Sequence, residues 1–386
     1  MKIAMIGQKG VPARSGGVER HVEELAVELS KRGHEVLVFC RSWYTERTEA
    51  EFAYRGVRAI RAFSVPSKHL DAFTHTFFSI IRAAREKADV FHLHGVGPAL
   101  FSWLPKLLKP DATVVVTFHC IDRHHKKWNA IARMALHAGE WFACRFPDAT
   151  VTVAKTLQAY CRLSYGADTM HIPNGTRLPD APPDAEPLKA FGLAADQYLM
   201  FCARLVQHKG ADLLVEAWKK LRAERPELVG TKKLAIVGGG AFTDKYVEAL
   251  TERCKGDDSI VMTGTQSGEA LESLFANAFA LVHPSESEGM PLTILEAMAH
   301  GKCVLASDIP ENVELTEQHG MSFRRGDVND LTAKMAMLLE TPELTRAVGA
   351  EARQLVAKRH DWADIAETTE NLYEAIRFEP VVRAAH

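Results

Sequence analysis

The chain has 386 residues, more than one hydrophobic core usually organises, and reads as two domains. It is 47% hydrophobic and 25% charged, as soluble globular chains are, and its formal net charge of −2 argues against a nucleic-acid binder, which would be strongly basic. The seven cysteines, Cys40, Cys120, Cys144, Cys161, Cys202, Cys254 and Cys303, are scattered without a CxxC pair. They indicate neither a zinc site nor a disulfide framework, and a reducing cytoplasm fits them. No run reaches the roughly eighteen apolar residues that a membrane span needs. The chain starts on a strand-like run with no leader pattern ahead of it.

In chain order, strand-like runs fall at 3–6, 35–39, 57–62, 90–94, 113–118, 149–153 and 169–172, with helical patterns at 18–32, 73–87, 129–145 and 154–165. The proline- and glycine-rich stretch that opens 174–197 reads as a linker between a first domain, 1–173, and a second, 198–361. Strand-like runs resume at 198–203, 233–237, 260–263, 278–283 and 303–307, again with helices between, and a last helix and tail occupy 362–386. Such alternation means parallel sheets covered by helices on both faces. The expected class is α/β, as two Rossmann-like domains facing each other across a cleft.

The most informative stretch is Glu288-Gly289-Met290-Pro291-Leu292-Thr293-Ile294-Leu295-Glu296, after the strand 278–283. In open α/β sheets ligands bind beyond the carboxyl ends of the strands. Pro291 suits a first helical turn and Gly301 the position past the helix end, so Glu288 falls in the loop and Glu296 in the second turn. The N–H groups of Leu292 and Thr293 then face outward at the positive end of the helix dipole, a site for phosphate. The flanking carboxylates can grip sugar hydroxyls. Taken alone, the pattern is equally a surface loop and amphipathic helix with solvated acids.

Other candidates also sit at strand ends. Arg204 and Lys209, after 198–203, either neutralise a diphosphate or form an ordinary solvated pair. The loop 7–19 lacks G-x-G-x-x-G, which disfavours a dehydrogenase. Its Gly16-Gly17 pair either admits an anion to the backbone or only makes the turn, and Gly238-Gly239-Gly240 leaves the same two readings for a nucleotide. Thr265 follows the strand 260–263. His119, ending 113–118, either bonds a substrate hydroxyl or is a satisfied structural histidine. The segment Arg123-His124-His125-Lys126-Lys127-Trp128 is a solvated helix cap or a patch for anionic lipid headgroups. Arg55, Arg58, Arg61, Lys68, Arg82, Arg85 and Lys87 add charge to the same domain. With no Asp-x-Asp element and no clustered Cys/His set, no metal is expected.

The Glu288-x7-Glu296 stretch, the Arg204-x4-Lys209-Gly210 pattern and the Gly16-Gly17 pair resemble retaining glycosyltransferase family 4, and the likeness runs over nearly the whole chain. It implies the GT-B fold, with a nucleoside-diphosphate hexose held mainly by the second domain. The acceptor, a saccharide or lipid-linked glycan, would be held by the first. By the resemblance Glu288 contacts the donor sugar and Glu296 the ribose. Arg204, Lys209, the Leu292 and Thr293 amides next to Gly289 and Met290, and the Gly16-Gly17 turn face the diphosphate. His119 orients a sugar hydroxyl or the acceptor, and Thr265 lies where the family's base-reading backbone groups lie. The family often has an aspartate directly after the histidine, whereas here Cys120 comes before Asp122. Metal-free transfer with retention, and a last helix crossing back to the first domain, are implied as well. The cysteine pattern and the basic segment together suggest a cytoplasmic place at the inner face of the cell membrane, and the expected role is in synthesis of surface polysaccharide or glycoconjugate. A nucleotide-sugar epimerase on the same fold and a non-catalytic nucleotide-sugar-binding protein are the alternatives.

Overall fold

The structure is a computed structural model, and it describes residues 1–14, 16–45, 47–67, 70–124, 129–240, 243–316 and 319–378. The chain divides into two compact units, Met1–Asn174 with Trp362–His386, and Gly175–Asp361.

The first unit holds strands β1 (Lys2–Ile6), β2 (Glu35–Arg41), β3 (Glu51–Tyr54), β4 (Val57–Ala62), β5 (Val90–His94), β6 (Thr113–Phe118), β7 (Ala149–Thr152) and β8 (Met170–His171). They form one sheet in the order β3-β4-β2-β1-β5-β6-β7-β8. The central strands are apolar without alternation, and every residue of β5 and β6 is buried, because helices cover both faces. The order reverses direction between β1 and β5, so their carboxyl ends open a crevice between neighbouring loops.

One strand corrects the all-parallel expectation. β3 runs antiparallel to β4, with Tyr54 opposite Val57. The tight turn is made by Arg55 at φ 47° and Gly56 at φ 88°. Two successive positive φ values give the twist of a two-residue hairpin, and arginine is a rare choice for the first. Arg55 is held there by Glu23, 3.2 Å away on the helix Gly17–Lys31.

The last helix, Trp362–Phe378, packs within this unit against Gly17–Lys31. Tyr373, fully buried, places its hydroxyl 2.6 Å from His92 Nδ1 on β5, and Glu370 meets His34 Nε2 at 2.7 Å.

The second unit holds β9 (Tyr198–Cys202), β10 (Lys233–Val237), β11 (Ile260–Gly264), β12 (Ala280–His283), β13 (Cys303–Ser307) and β14 (Met321–Phe323), all parallel, in the order β11-β10-β9-β12-β13-β14. Its core gathers Phe201, Trp218, Leu234, Val282 and Leu305, and the Trp218 indole N–H reaches Ser259 Oγ at 3.0 Å. Here the direction reverses between β9 and β12. The stretch read as a linker lies on this unit from Gly175 onward. Leu188 is buried, and Ser273 Oγ donates to the Asp184 carbonyl at 2.6 Å.

Candidate functional site

Because all strands of the second sheet run the same way, the loops after β9, β10, β11 and β12 emerge along one edge. Arg204 and Lys209 follow β9, Gly238 follows β10, Thr265 follows β11, and Glu288 follows β12. The switch point between β9 and β12 brings two of them together. Lys209 Nζ donates to Glu288 Oε1 at 2.5 Å, and both side chains are nearly buried, 14% and 8% exposed. The sequence suggests separate partners for these residues, diphosphate and sugar, whereas the structure pairs them with each other.

A third residue joins them that the sequence reading did not single out. His283, the last residue of β12, places Nε2 2.8 Å from the same Glu288 oxygen, with Ser285 Oγ 3.0 Å from that nitrogen. The signal was present, since a histidine at a strand's carboxyl end was the argument used for His119. Burial alone would push the Glu288 carboxyl up, but Lys209 and His283 outweigh it and hold the group well below the usual carboxylate range. Glu288 is thus an anion, and among the described residues its Oε2 accepts no hydrogen bond.

The helix after Glu288 begins one residue later than expected. Pro291 is its cap residue, in extended conformation at ψ 110°, and the helix runs Leu292–Ala299. Its first backbone bonds go from the N–H groups of Ile294 and Leu295 to the Pro291 carbonyl. The amides of Leu292 and Thr293 lie ahead of that ladder, at the positive end of the helix. Gly289 and Met290 are buried beneath the turn. Glu296 lies in the second turn, half-buried, and its charge adds to the burial that raises the Cys202 thiol at the end of β9. Arg204 is half-buried and makes no ion pair or side-chain hydrogen bond among the described residues.

The glycines acquire concrete structural causes. A Cβ on Gly238, at φ 144°, would lie 1.9 Å from the Ala203 carbonyl oxygen, so close packing of the loops after β9 and β10 demands glycine. Gly16 sits at φ 108°, a conformation that a residue with a Cβ rarely adopts, and its nearest neighbour is the movable Glu19 carboxylate. Gly16 caps the helix that Gly17 opens, and Glu19 Oε1 accepts from the Lys9 backbone N–H at 3.2 Å. Thr265 is exposed just beyond β11.

His119 lies at the switch point of the first sheet, within a cluster of imidazoles. His94 Nδ1 is 3.2 Å from His119 Nε2, and the His21 ring centroid is 4.8 Å from that of His119. His21 Nδ1 pairs with Asn174 Oδ1 at 2.8 Å, while His92 pairs with Thr117 and Tyr373. Burial dominates their chemistry: His21 is lowered to about 4, His92 to about 3, and His94 and His119 well below the ordinary value. All four are neutral near pH 7. The sequence reading of no clustered Cys/His set is therefore corrected, because three of these residues come from three separate segments. Asp122 opens a short turn and accepts from the Cys120 thiol at 3.5 Å.

Of the basic segment, 125–128 lie outside the described residues, as does Lys68. Arg123 is anchored inward, to Tyr160 at 2.7 Å and beside the fully buried Glu140 at 3.4 Å. Arg55, Arg58 and Arg82 are ion-paired with Glu23, Glu51 and Glu86. Part of the positive field expected of this unit is thus met by its own carboxylates. No helix among the described residues is long and apolar enough to cross a membrane.

Residues 15–178 match the family described as Glycosyltransferase Family 4, and residues 189–355 match Glycosyl transferases group 1. The chain is 28% identical to a glycogen synthase of Mycobacterium tuberculosis, over 98% of its own length and 95% of that protein's. The sucrose-phosphate synthase of Thermosynechococcus elongatus superposes with a TM-score of 0.83 at 22% identity, covering 97% of this chain and 98% of that one. Anabaena Alr3699/HepE in complex with UDP-glucose superposes at 0.76 and 19% identity, covering 97% and 100%.

Proposed function

The chain belongs to the family 4 type of glycosyltransferases and has the GT-B fold, and on that premise we propose that it moves a hexose from a nucleoside-diphosphate sugar to a hydroxyl of a saccharide or lipid-linked glycan, with retention at the anomeric carbon. The observation that carries the reading is the nearly buried Lys209–Glu288 pair at the switch point, with Arg204, which has no side-chain partner among the described residues, in the same loop as Lys209. The UDP-glucose bound to the Anabaena neighbour supports a donor of this class.

In this mechanism the donor diphosphate takes the Arg204 fork and the Leu292 and Thr293 amides, and draws Lys209 from Glu288 onto its oxygens. Glu288, released on one side and oriented by His283 on the other, takes the sugar hydroxyls near the anomeric carbon. Its charge favours the positive character that develops there. The bond from that carbon to the phosphate oxygen breaks, the acceptor oxygen bonds to the same face, and the acceptor proton passes to the departing phosphate. Glu296 holds the ribose, and His119 orients a sugar hydroxyl or the acceptor. Cations and backbone dipoles of the chain carry the leaving-group charge, so the reaction runs without a metal.

The test is a panel of UDP-, GDP-, ADP- and dTDP-hexoses with saccharide and lipid-linked acceptors, read as nucleoside diphosphate released and glycan formed. Acceptor-dependent release with one donor supports the proposal. Conversion of donor to an epimer without acceptor would replace it with the epimerase reading.

Association of the first unit with a membrane surface belongs to the same proposal. Beside the basic segment, its support is the exposed aromatic pair Phe63 and Phe78, whose ring centroids are 5.2 Å apart.

A further inference from the structure

We propose that His21, His94 and His119 form a binding site for a divalent cation of the zinc class, and that its occupancy inhibits transfer. One ligand atom from each of the three lies within 4.8 Å of the others, and all three residues are buried. The 3.2 Å between His94 Nδ1 and His119 Nε2 is about the nitrogen–nitrogen separation of two imidazoles on one tetrahedral ion with metal–nitrogen bonds near 2.0–2.1 Å. A small shift of the His21 ring completes the trio.

Two further observations point to a ligand there. His21 Nε2 is buried and has no hydrogen-bond partner. An orphaned buried ring nitrogen is costly unless something else takes its lone pair. Its other nitrogen, Nδ1, is 2.8 Å from Asn174 Oδ1, which fixes the tautomer with the proton on Nδ1 and the lone pair on Nε2. Metal-ligating histidines are oriented in this way, through a second-shell acceptor on the ring's far nitrogen.

The fold explains why the trio meets. His94 ends β5, His119 follows β6 beside it, and His21 is one turn into the helix after β1, so all three converge at the switch point of the first sheet. Three imidazoles without a carboxylate suit zinc, nickel or copper rather than magnesium or calcium. With three protein ligands the fourth position is left for water. Binding replaces the His94–His119 hydrogen bond by two coordinate bonds, and the ring that donated carries its proton on its other nitrogen instead, so both rings bind as neutral imidazoles. With Nε2 fixed on the ion, the His119 ring can no longer exchange its His94 partner for a substrate hydroxyl. The binding claim stands without the transferase reading, whereas the inhibition rests on it.

The test titrates the full chain with Co2+ as a spectroscopic stand-in for Zn2+. One equivalent should give the intense visible bands of tetrahedral cobalt, without the near-ultraviolet charge-transfer band that thiolate ligands bring. His21→Ala should abolish those bands. Zn2+ should raise the melting temperature of wild type but not of His21→Ala. It should also slow hexose transfer by about tenfold or more, the cost of one lost active-site hydrogen bond, and a chelator should reverse the effect. Weak octahedral bands, a thiolate band, or an unchanged spectrum in His21→Ala would overturn the site. If that variant fails to fold, the wild-type spectrum alone decides between imidazole and thiolate ligation. Metal binding without inhibition would overturn the inhibitory role and leave the site standing.

Discussion

Lys209 Nζ and Glu288 Oε1 stand 2.5 Å apart at the point where the second sheet reverses its strand order, although 79 positions separate them in the chain. Two nearly buried charges that satisfy each other are a closed electrostatic unit. Such a unit can be opened only by something that offers both charges new partners, and a diphosphate joined to a sugar does so.

Lys209→Met should therefore destabilise the protein by about 3–5 kcal/mol, because it leaves a buried carboxylate with His283 alone. Adding Glu288→Gln should restore part of that loss. Urea unfolding of both single variants and the double variant measures the coupling. Equal, additive losses would mean that the pair is not held in solution.

Arg204→Ala should behave differently. No ion pair or side-chain hydrogen bond is lost among the described residues, so stability should stay within about 0.5 kcal/mol. The kcat/KM for donor should fall about ten- to a hundredfold, the worth of a hydrogen-bonded charge on phosphate. Arg204→Lys should recover only part, since lysine keeps the charge without the fork.

Acid should weaken the protein in two steps with distinct origins. His75, fully buried and lowered to about 3 by desolvation and then by Arg41, is neutral when folded. Its contribution is complete above the unfolded value of 6.5 and is lost as pH falls toward 3, because the unfolded chain takes up the proton first. Glu288 contributes fully above its unfolded value of 4.5, and that stability is lost as pH falls from there through its lower folded value. His75→Leu should flatten the stability profile between pH 6.5 and 3 by about 1.4 kcal/mol per pH unit. Glu288→Gln should lower stability by a constant amount above about pH 4.5 and change the slope of the profile only below it. Unfolding free energies measured across that range separate the two.

Binding of the first unit to liposomes should depend on its exposed aromatics more than on salt. Phe63→Ser with Phe78→Ser should abolish co-sedimentation that survives high ionic strength. Sedimentation lost in salt but unaffected by the double substitution would return the role to the basic segment.

Much of the fold was legible because buried parallel strands are uninterrupted apolar runs, as in Thr113–Phe118. β3 was not, since its hairpin uses Arg55 at a position where asparagine or glycine ordinarily signals the turn. At the site, individual residues could be read from their places at strand ends. Their meeting could not, because it depends on strand order: the reversal between β9 and β12 creates the Lys209–Glu288–His283 contact, and the reversal between β1 and β5 gathers His21, His94 and His119. The causes of Gly16 and Gly238 were equally hidden, lying in a positive φ at the first and in the Ala203 carbonyl that approaches the second.

The most direct measurement is nucleoside diphosphate release by Glu288→Gln beside its affinity for the same nucleotide. Glutamine keeps the shape and removes the charge. Turnover should fall by about a hundredfold or more, with nucleotide affinity within about threefold of wild type and the fold intact. Full turnover in the variant would contradict the role given to Glu288. Loss of binding in step with turnover would make the residue an anchor of the ligand and not a group of the reaction.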